Sequence, residues 1–254
     1  MLVRPPAVAG SFYPASSEEL AGVVDRLLSD AKSGPPAKVV VVPHAGFVYS
    51  GPIAASAWKR VAASVERVVL IGPAHRVAFR GLRSPGAARL ATPLGEVTVD
   101  TDALARADVP ADPGAHAREH SLEVELPFIQ RVAPRARVVP IAASHASAEE
   151  VGRVIDELWG GPETLIAISS DLSHYHPYGE GRARDERTVS KILAHDAAIA
   201  GEEACGCVGL NGLAWVATKR RLDGELLDLR SSGDTAGSRD SVVGYAAIAF
   251  AEAA

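Results

Sequence analysis

The sequence has little of what several protein classes require. Its only cysteines, Cys205 and Cys207, are separated by one residue, a spacing that supports neither a disulfide framework nor a four-cysteine zinc site. Basic residues are not in excess: 26 lysines and arginines face 31 acidic residues, for a net charge of -5. That balance gives no electrostatic footprint for nucleic acid. No stretch approaches the roughly 18 apolar residues of a membrane span, and the start, Met1 to Gly10, lacks the apolar core of a signal peptide. A soluble, cytoplasmic protein is expected, with no nucleic acid and no membrane among its partners. A Gly-x-Ser-x-Gly elbow, a Walker phosphate loop and a Gly-x-Gly-x-x-Gly turn after a strand are also missing, so serine hydrolase, nucleotidase and dinucleotide-enzyme readings fall. No linker, low-complexity tract or solenoid repeat divides the 254 residues, and one domain over residues 1–254 is expected.

What is present is a set of apolar runs, each followed closely by a histidine. Residues 38–42 lead to Pro43-His44, 67–71 to Gly72-Pro-Ala-His75, 137–142 to Ser144-His145, and 164–169 to Ser170-Asp171-Leu-Ser-His174. Two-sided apolar runs alternating with helical patterns are the signature of a parallel sheet covered on both faces. Helices are expected at 17–30, 52–64, 119–133, 147–159, 181–199 and 208–220, further strands at 225–230 and 242–250, and a short strand at 94–99. The predicted fold is α/β, with a central mostly parallel or mixed sheet between helices. In such sheets ligands bind at the carboxyl ends of the strands, where histidines suit a metal or acid–base chemistry.

The motifs differ in weight. His44 is followed by Gly46, Tyr49 and Gly51 in a loop that can approach a ligand, and His75 repeats the strand-end placement. Asp171 and His174 belong to the densest polar cluster and suit a carboxylate–imidazole pair, although a helix cap would use the same residue types. His176 precedes Pro177 and is expected in an extended loop. On the helix expected over 119–133, His120 and Glu123 share a face, which fits either a ligand pair or a buried structural pair. His116 and His195 read as surface residues. Cys205, just before a helix, is placed to gain thiolate character, whereas Cys207 reads as packing. Asp234 lies in a turn, Ser231 to Ser238, that would close a pocket.

Together these motifs resemble the Memo family, whose prokaryotic members are called AmmeMemoRadiSam system protein B. The resemblance is carried by Arg4-Pro-Pro-Ala-Val-Ala-Gly-Ser-Phe-Tyr-Pro14, Pro43 to Gly51, Gly72 to His75, Glu119 to Phe128, Ser169 to Tyr175, Ala204-Cys-Gly206 and Ser232 to Thr235. It implies a fold akin to class III extradiol dioxygenases, in which two histidines and a glutamate hold ferrous iron. In Memo-like proteins a cysteine takes the third position, which makes His44, His75 and Cys205 the implied ligands. His174 is then the acid–base histidine with Asp171 beside it, and His120, Glu123, Tyr49 and Asp234 surround the pocket.

The expected cofactor is Fe(II), with Cu or Zn accepted by the same donors. The expected function is that of a metal-binding, dioxygenase-like oxidoreductase acting on a small aromatic or peptide-like substrate. The resemblance also implies one step of a modification pathway shared with radical SAM and AMMECR-type proteins. Two other functions fit the same pocket: a non-catalytic (phospho)peptide-binding adaptor, and a zinc-dependent hydrolase.

Overall fold

The valine, isoleucine and leucine runs become the centre of a mixed sheet that is buried on both faces. The computed structural model describes residues 2–253. Its strands are β1 (Val3–Arg4), β2 (Val39–Val42), β3 (Arg67–Pro73), β4 (Leu82–Arg83), β5 (Arg89–Thr92), β6 (Gly95–Thr98), β7 (Arg137–Ala143), β8 (Thr164–Ser169), β9 (His174–His176), β10 (Leu222–Ser231) and β11 (Val242–Glu252). The main sheet runs in the order β10-β11-β2-β8-β3-β7-β4, and β9 pairs with β11. Strands β2, β8, β3 and β7 are mutually parallel, and the remaining pairings of this sheet are antiparallel. A small second sheet joins β1, β5 and β6. The parallel centre is where the sequence is most apolar, because strands flanked by helices on both faces have no solvent side to alternate with.

The helices are α1 (Ser17–Asp30), α2 (Phe47–Trp58), α3 (Thr101–Arg106), α4 (Pro113–Ala117), α5 (Leu126–Val132), α6 (Ala148–Glu157), α7 (Tyr178–Leu193) and α8 (Cys207–Arg220). Helix α2 lies on β2, β10 and β11 with α1 against it; α8 lies on β3 and β8 with α6 against it. Several boundaries differ from the sequence expectation. Helix α2 begins at Phe47 and carries Pro52 in its second turn, where the missing proline N–H leaves the Val48 carbonyl without its i→i−4 hydrogen bond. The helix expected over 119–133 shortens to a single 3₁₀ turn, Glu123–Glu125, followed by α5. His120 therefore sits in a turn rather than on a helix face shared with Glu123. The Asp171–His174 stretch is extended, and His174 and His176 pair with β11 instead of opening a helix. The adjoining helix α7 ends at Leu193, and His195 follows in the left-handed region at φ 56°.

Glu123 has a structural task. Its carboxylate accepts the Arg4 guanidinium at 2.6 Å, the amides of Ala7 and Val8, and the Tyr13 hydroxyl at 2.6 Å. Arg4 also donates to the carbonyls of His116 and Glu119. These contacts bind the first thirteen residues to the stretch that carries His120. They also explain why both charges tolerate burial: nearly every polar atom has a partner. Removing one side leaves an uncompensated buried charge, which costs about 3–5 kcal/mol. Arg4→Met should therefore lower the urea midpoint by that free energy with the slope unchanged; a midpoint equal to wild type would show that the pair adds nothing to folding.

Candidate metal centre

The register of the parallel strands sets the geometry of the site. Val42 lies opposite Ser169, and Ile71 opposite Ile168. The chain therefore leaves β2, β3 and β8 at one edge of the sheet, and the second residue beyond each strand is His44, His75 or Asp171. The His44 amide donates to Asp171 Oδ1 at 2.8 Å, tying two of these exits together. A third histidine arrives from outside the sheet. The turn carrying His120 is fastened to the end of β3 by Ser121 Oγ, which donates to the Pro73 carbonyl at 2.7 Å. Gly72 makes this approach possible: a Cβ there would lie 2.9 Å from both Leu122 Cδ2 and Ser121 Oγ.

The result is a cluster in which one ring nitrogen from each of His44, His75 and His120 lies within 4.8 Å of the other two. His44 is buried, His120 half-buried and His75 reaches solvent, so the cluster opens outward through His75. Burial, reinforced by the neighbouring His75 and His120, holds the His44 imidazole well below its usual range. Burial likewise pushes His120 down to about 4, against the pull of Glu119. Both rings are thus neutral at pH 7 and each offers a lone pair, as metal binding requires. His120 Nδ1 is buried with no hydrogen-bond partner among the described residues.

Glu119 organises the outer side of this cluster, a role the sequence reading missed. Oε1 lies 3.0 Å from His75 Nδ1 and accepts the amides of His120 and Ser121; Oε2 accepts the His75 amide. Burial alone would raise this carboxyl, but the bonds from His75 and the Ser121 amide outweigh it and hold the group well below the usual carboxylate range. A carboxylate on the second nitrogen of a histidine orients the ring and makes the other nitrogen a better donor. The one signal in the sequence was the acid immediately before His120.

Cys205 joins the cluster from the other side. Its Sγ lies 3.4 Å from His44 Nε2 and accepts the Asp171 amide at 3.3 Å. Burial and the nearby Asp171 push its thiol up, against the thiolate character expected from the helix start: desolvation outweighs the end of α8. Gly206 lets α8 come this close, since a Cβ there would lie 2.6 Å from the Ser169 carbonyl. Cys207 packs at the edge of the core.

Other candidates separate. The Asp171 carboxyl, raised to about 7 by burial, bonds the His44 amide, and no hydrogen bond joins it to His174. His174 is half-buried on β9, with its imidazole lowered chiefly by burial and further by His75 and His176. Tyr49 is 39% exposed on α2 and Tyr175 is 77% exposed with φ 61°. Glu123 binds the N-terminal segment. Asp234 accepts the Tyr178 hydroxyl at 2.6 Å and the Ser231 amide, commitments within its own turn and α7. His145 is exposed, and its backbone pairs with Phe79 and Gly81. His176 meets Glu180 at 3.2 Å. His116, expected at the surface, is buried with Nε2 2.9 Å from the Arg83 carbonyl; it closes the seam between β4 and α4.

An α/β sheet with three histidines at its parallel edge defines a protein with a candidate metal centre. The Memo-like protein family matches residues 4–249, and the chain belongs to that family. It is similar to a MEMO1 family protein of Aquifex aeolicus, 36% identical and covering 98% of this chain and all of the relative. A MEMO1 family protein of Methanopyrus kandleri is 38% identical over 97% of this chain and 98% of its own. One of Nitrosopumilus maritimus is 32% identical over 98% and 100%. No helix among the described residues is long and apolar enough to cross a membrane.

The tight seat of Gly206 yields a test of how Cys205 is placed. Gly206→Ala should cost about 1–3 kcal/mol, as overpacking does, and should move the thiol away from His44. Denaturant unfolding would measure the first effect and the rate of Cys205 alkylation the second; wild-type values for both would show that the close approach is dispensable.

Proposed function

We propose that the chain is a metal-dependent oxidoreductase of the Memo family that holds one iron ion, with copper as the next choice, at the His44–His75 edge. The observation that carries this reading is the cluster itself: three imidazole nitrogens within 4.8 Å of one another. The donor chemistry fits a transition metal. Burial holds His44 and His120 below the usual imidazole range, His120 Nδ1 makes no hydrogen bond although Glu119 Oε1 lies 3.4 Å away, and the Cys205 sulfur stands 3.4 Å from His44 Nε2. His44 and His75 would hold the ion in any arrangement. The family resemblance implies Cys205 as the third donor, and the nitrogen cluster offers His120. Two imidazoles with a thiolate suit iron, copper or zinc. When bound, iron or copper would supply one-electron redox chemistry and activation of oxygen.

The surrounding residues then have assigned tasks. His75, held by Glu119, faces the open side, where a small aromatic or peptide-like substrate would enter. His174 would move a proton to or from the substrate. Asp171, whose carboxyl is raised to about 7, can hold or release a proton at neutral pH. The family resemblance implies that this activity would form one step of a radical SAM-linked modification pathway. A second reading, zinc-dependent hydrolysis, is favoured by the three-histidine set itself, which together with a water is a catalytic zinc arrangement.

Metal content after anaerobic purification tests the proposal. Near-stoichiometric iron or copper is expected in wild type and should vanish in His44→Ala and His75→Ala. Comparing Cys205→Ser with His120→Ala then identifies the third donor. Zinc alone in every preparation would favour the hydrolase. A wild-type protein that contains no metal and takes up none on titration would overturn both, leaving the pocket as a peptide-binding surface. In an oxygen-consumption screen against catechols and peptides, His174→Ala should keep its metal and lose about 10²–10⁴-fold in turnover; undiminished turnover would remove His174 from proton transfer.

A further inference from the structure

The other ring nitrogen of His44 meets a chain of buried polar groups that the metal reading leaves without a purpose. Nδ1 lies 2.7 Å from Ser169 Oγ. The Ser169 hydroxyl in turn lies 2.7 Å from the Ser121 carbonyl and 3.5 Å from Glu125 Oε1. Glu125 Oε2 accepts the Trp58 indole N–H at 2.8 Å. Trp58, Ser121, Glu125 and Ser169 are all 0% exposed, and His44 is 1% exposed, so bulk solvent does not reach this chain of groups.

The proton count allows one solution for His44. A serine hydroxyl has a single proton and two lone pairs. The Ser121 carbonyl can only accept, so the two oxygens 2.7 Å apart need the Ser169 proton between them, although His44 Nδ1 lies equally close. If that proton turned instead to Glu125, it would still be lost to His44. In both cases Ser169 faces Nδ1 with a lone pair, so Nδ1 must carry the hydrogen. We propose that Ser169, backed by Glu125 and Trp58, is a positioning residue that fixes His44 as the Nδ1–H tautomer and so presents its Nε2 lone pair to the histidine cluster.

Two further observations agree. Cys205 Sγ stands 3.4 Å from Nε2, where a thiol proton meets a lone pair. Burial holds the Glu125 carboxyl well above its usual range. With Oε2 occupied by the indole, its proton lies on Oε1 and points to the second lone pair of Ser169. Every donor and acceptor in the chain is then used once. The resulting arrangement places a neutral hydrogen-bond chain behind His44, while a carboxylate, Glu119, stands behind His75. The two rings therefore differ in donor strength, since a carboxylate raises ligand basicity more than a hydroxyl does.

The purpose of this device rests on the metal reading, but the tautomer can be measured without metal. In metal-free protein labelled with ¹⁵N-histidine, NMR should show His44 with a protonated Nδ1 and a bare Nε2. Ser169→Ala should mix the two tautomers and weaken Co(II) binding, followed by its visible absorption, about 10–100-fold. Glu125→Gln should rescue what other changes at 125 lose, because its amide gives an N–H to Ser169 and a carbonyl to Trp58. A His44 protonated at Nε2 in the wild type would overturn the assignment without any variant. So would unchanged His44 signals in a folded Ser169→Ala protein. Cobalt that fails to bind wild type while Nδ1–H persists would overturn the metal reading and support the tautomer alone.

Discussion

Everything at the site depends on the in-register parallel pairing of β2, β8 and β3. Pairing Val42 with Ser169 and Ile71 with Ile168 aligns three chain exits at one edge, and a slip of one residue would turn every side chain of a strand to the other face. The register is secured by burial: the valines of β2 and the centres of β3 and β8 are 0% exposed, and no polar face exists to make an alternative pairing tolerable. The edge that carries the candidate site is thus a by-product of packing the apolar centre. His44 and His75 are brought together without a hydrogen bond between them, which leaves a nitrogen of each ring free for chemistry, while Asp171 ties the β8 exit to the His44 amide.

That freedom has a cost in buried polar groups, and the segment from Glu119 to Glu125 shows how it is met. Its three acids are all at most 1% exposed, yet each has a different fate. Glu119 remains a carboxylate because a histidine and three amides surround it. Glu123 is matched by a guanidinium, two amides and a phenol. Glu125 has only an indole and a distant hydroxyl, too little to offset burial, which raises its carboxyl well above the usual range. The number of donors each meets decides which form survives burial. The same segment thereby organises His75, anchors the N-terminal residues and supports His44.

This segment also marks the limit of what could be read from the sequence. The strands were legible because continuous apolar runs have one stable home in a sheet covered on both faces, and His44 and His75 followed from their position just beyond such runs. His120 was recognised as a candidate but placed on a helix. The spacing of Leu122, Leu126 and Ile129 suits a helix, yet the contacts of Glu119 with backbone amides hold residues 119–122 in a turn. Glu119 itself was invisible, since its partners are amides and a ring that only the fold assembles. His116 read as a surface residue because nothing local announces the Arg83 carbonyl that receives it. Long-range hydrogen bonds, in contrast with hydrophobic periodicity, leave no local pattern.

The same reasoning bears on the choice between a sulfur and a nitrogen as the third donor. Burial and Asp171 both disfavour the Cys205 thiolate, whereas burial holds the His120 ring in its neutral form. Nitrogen donors are ready before a metal arrives; sulfur must lose a proton as the metal binds, which makes its participation dependent on pH. A dication beside Cys205 would reverse the local electrostatics and favour the thiolate, and the seat created by Gly206 holds the sulfur close enough to benefit. Under the proposed metal reading, an ion would therefore meet the histidines first and engage the cysteine afterwards, in an order set by desolvation rather than by distance.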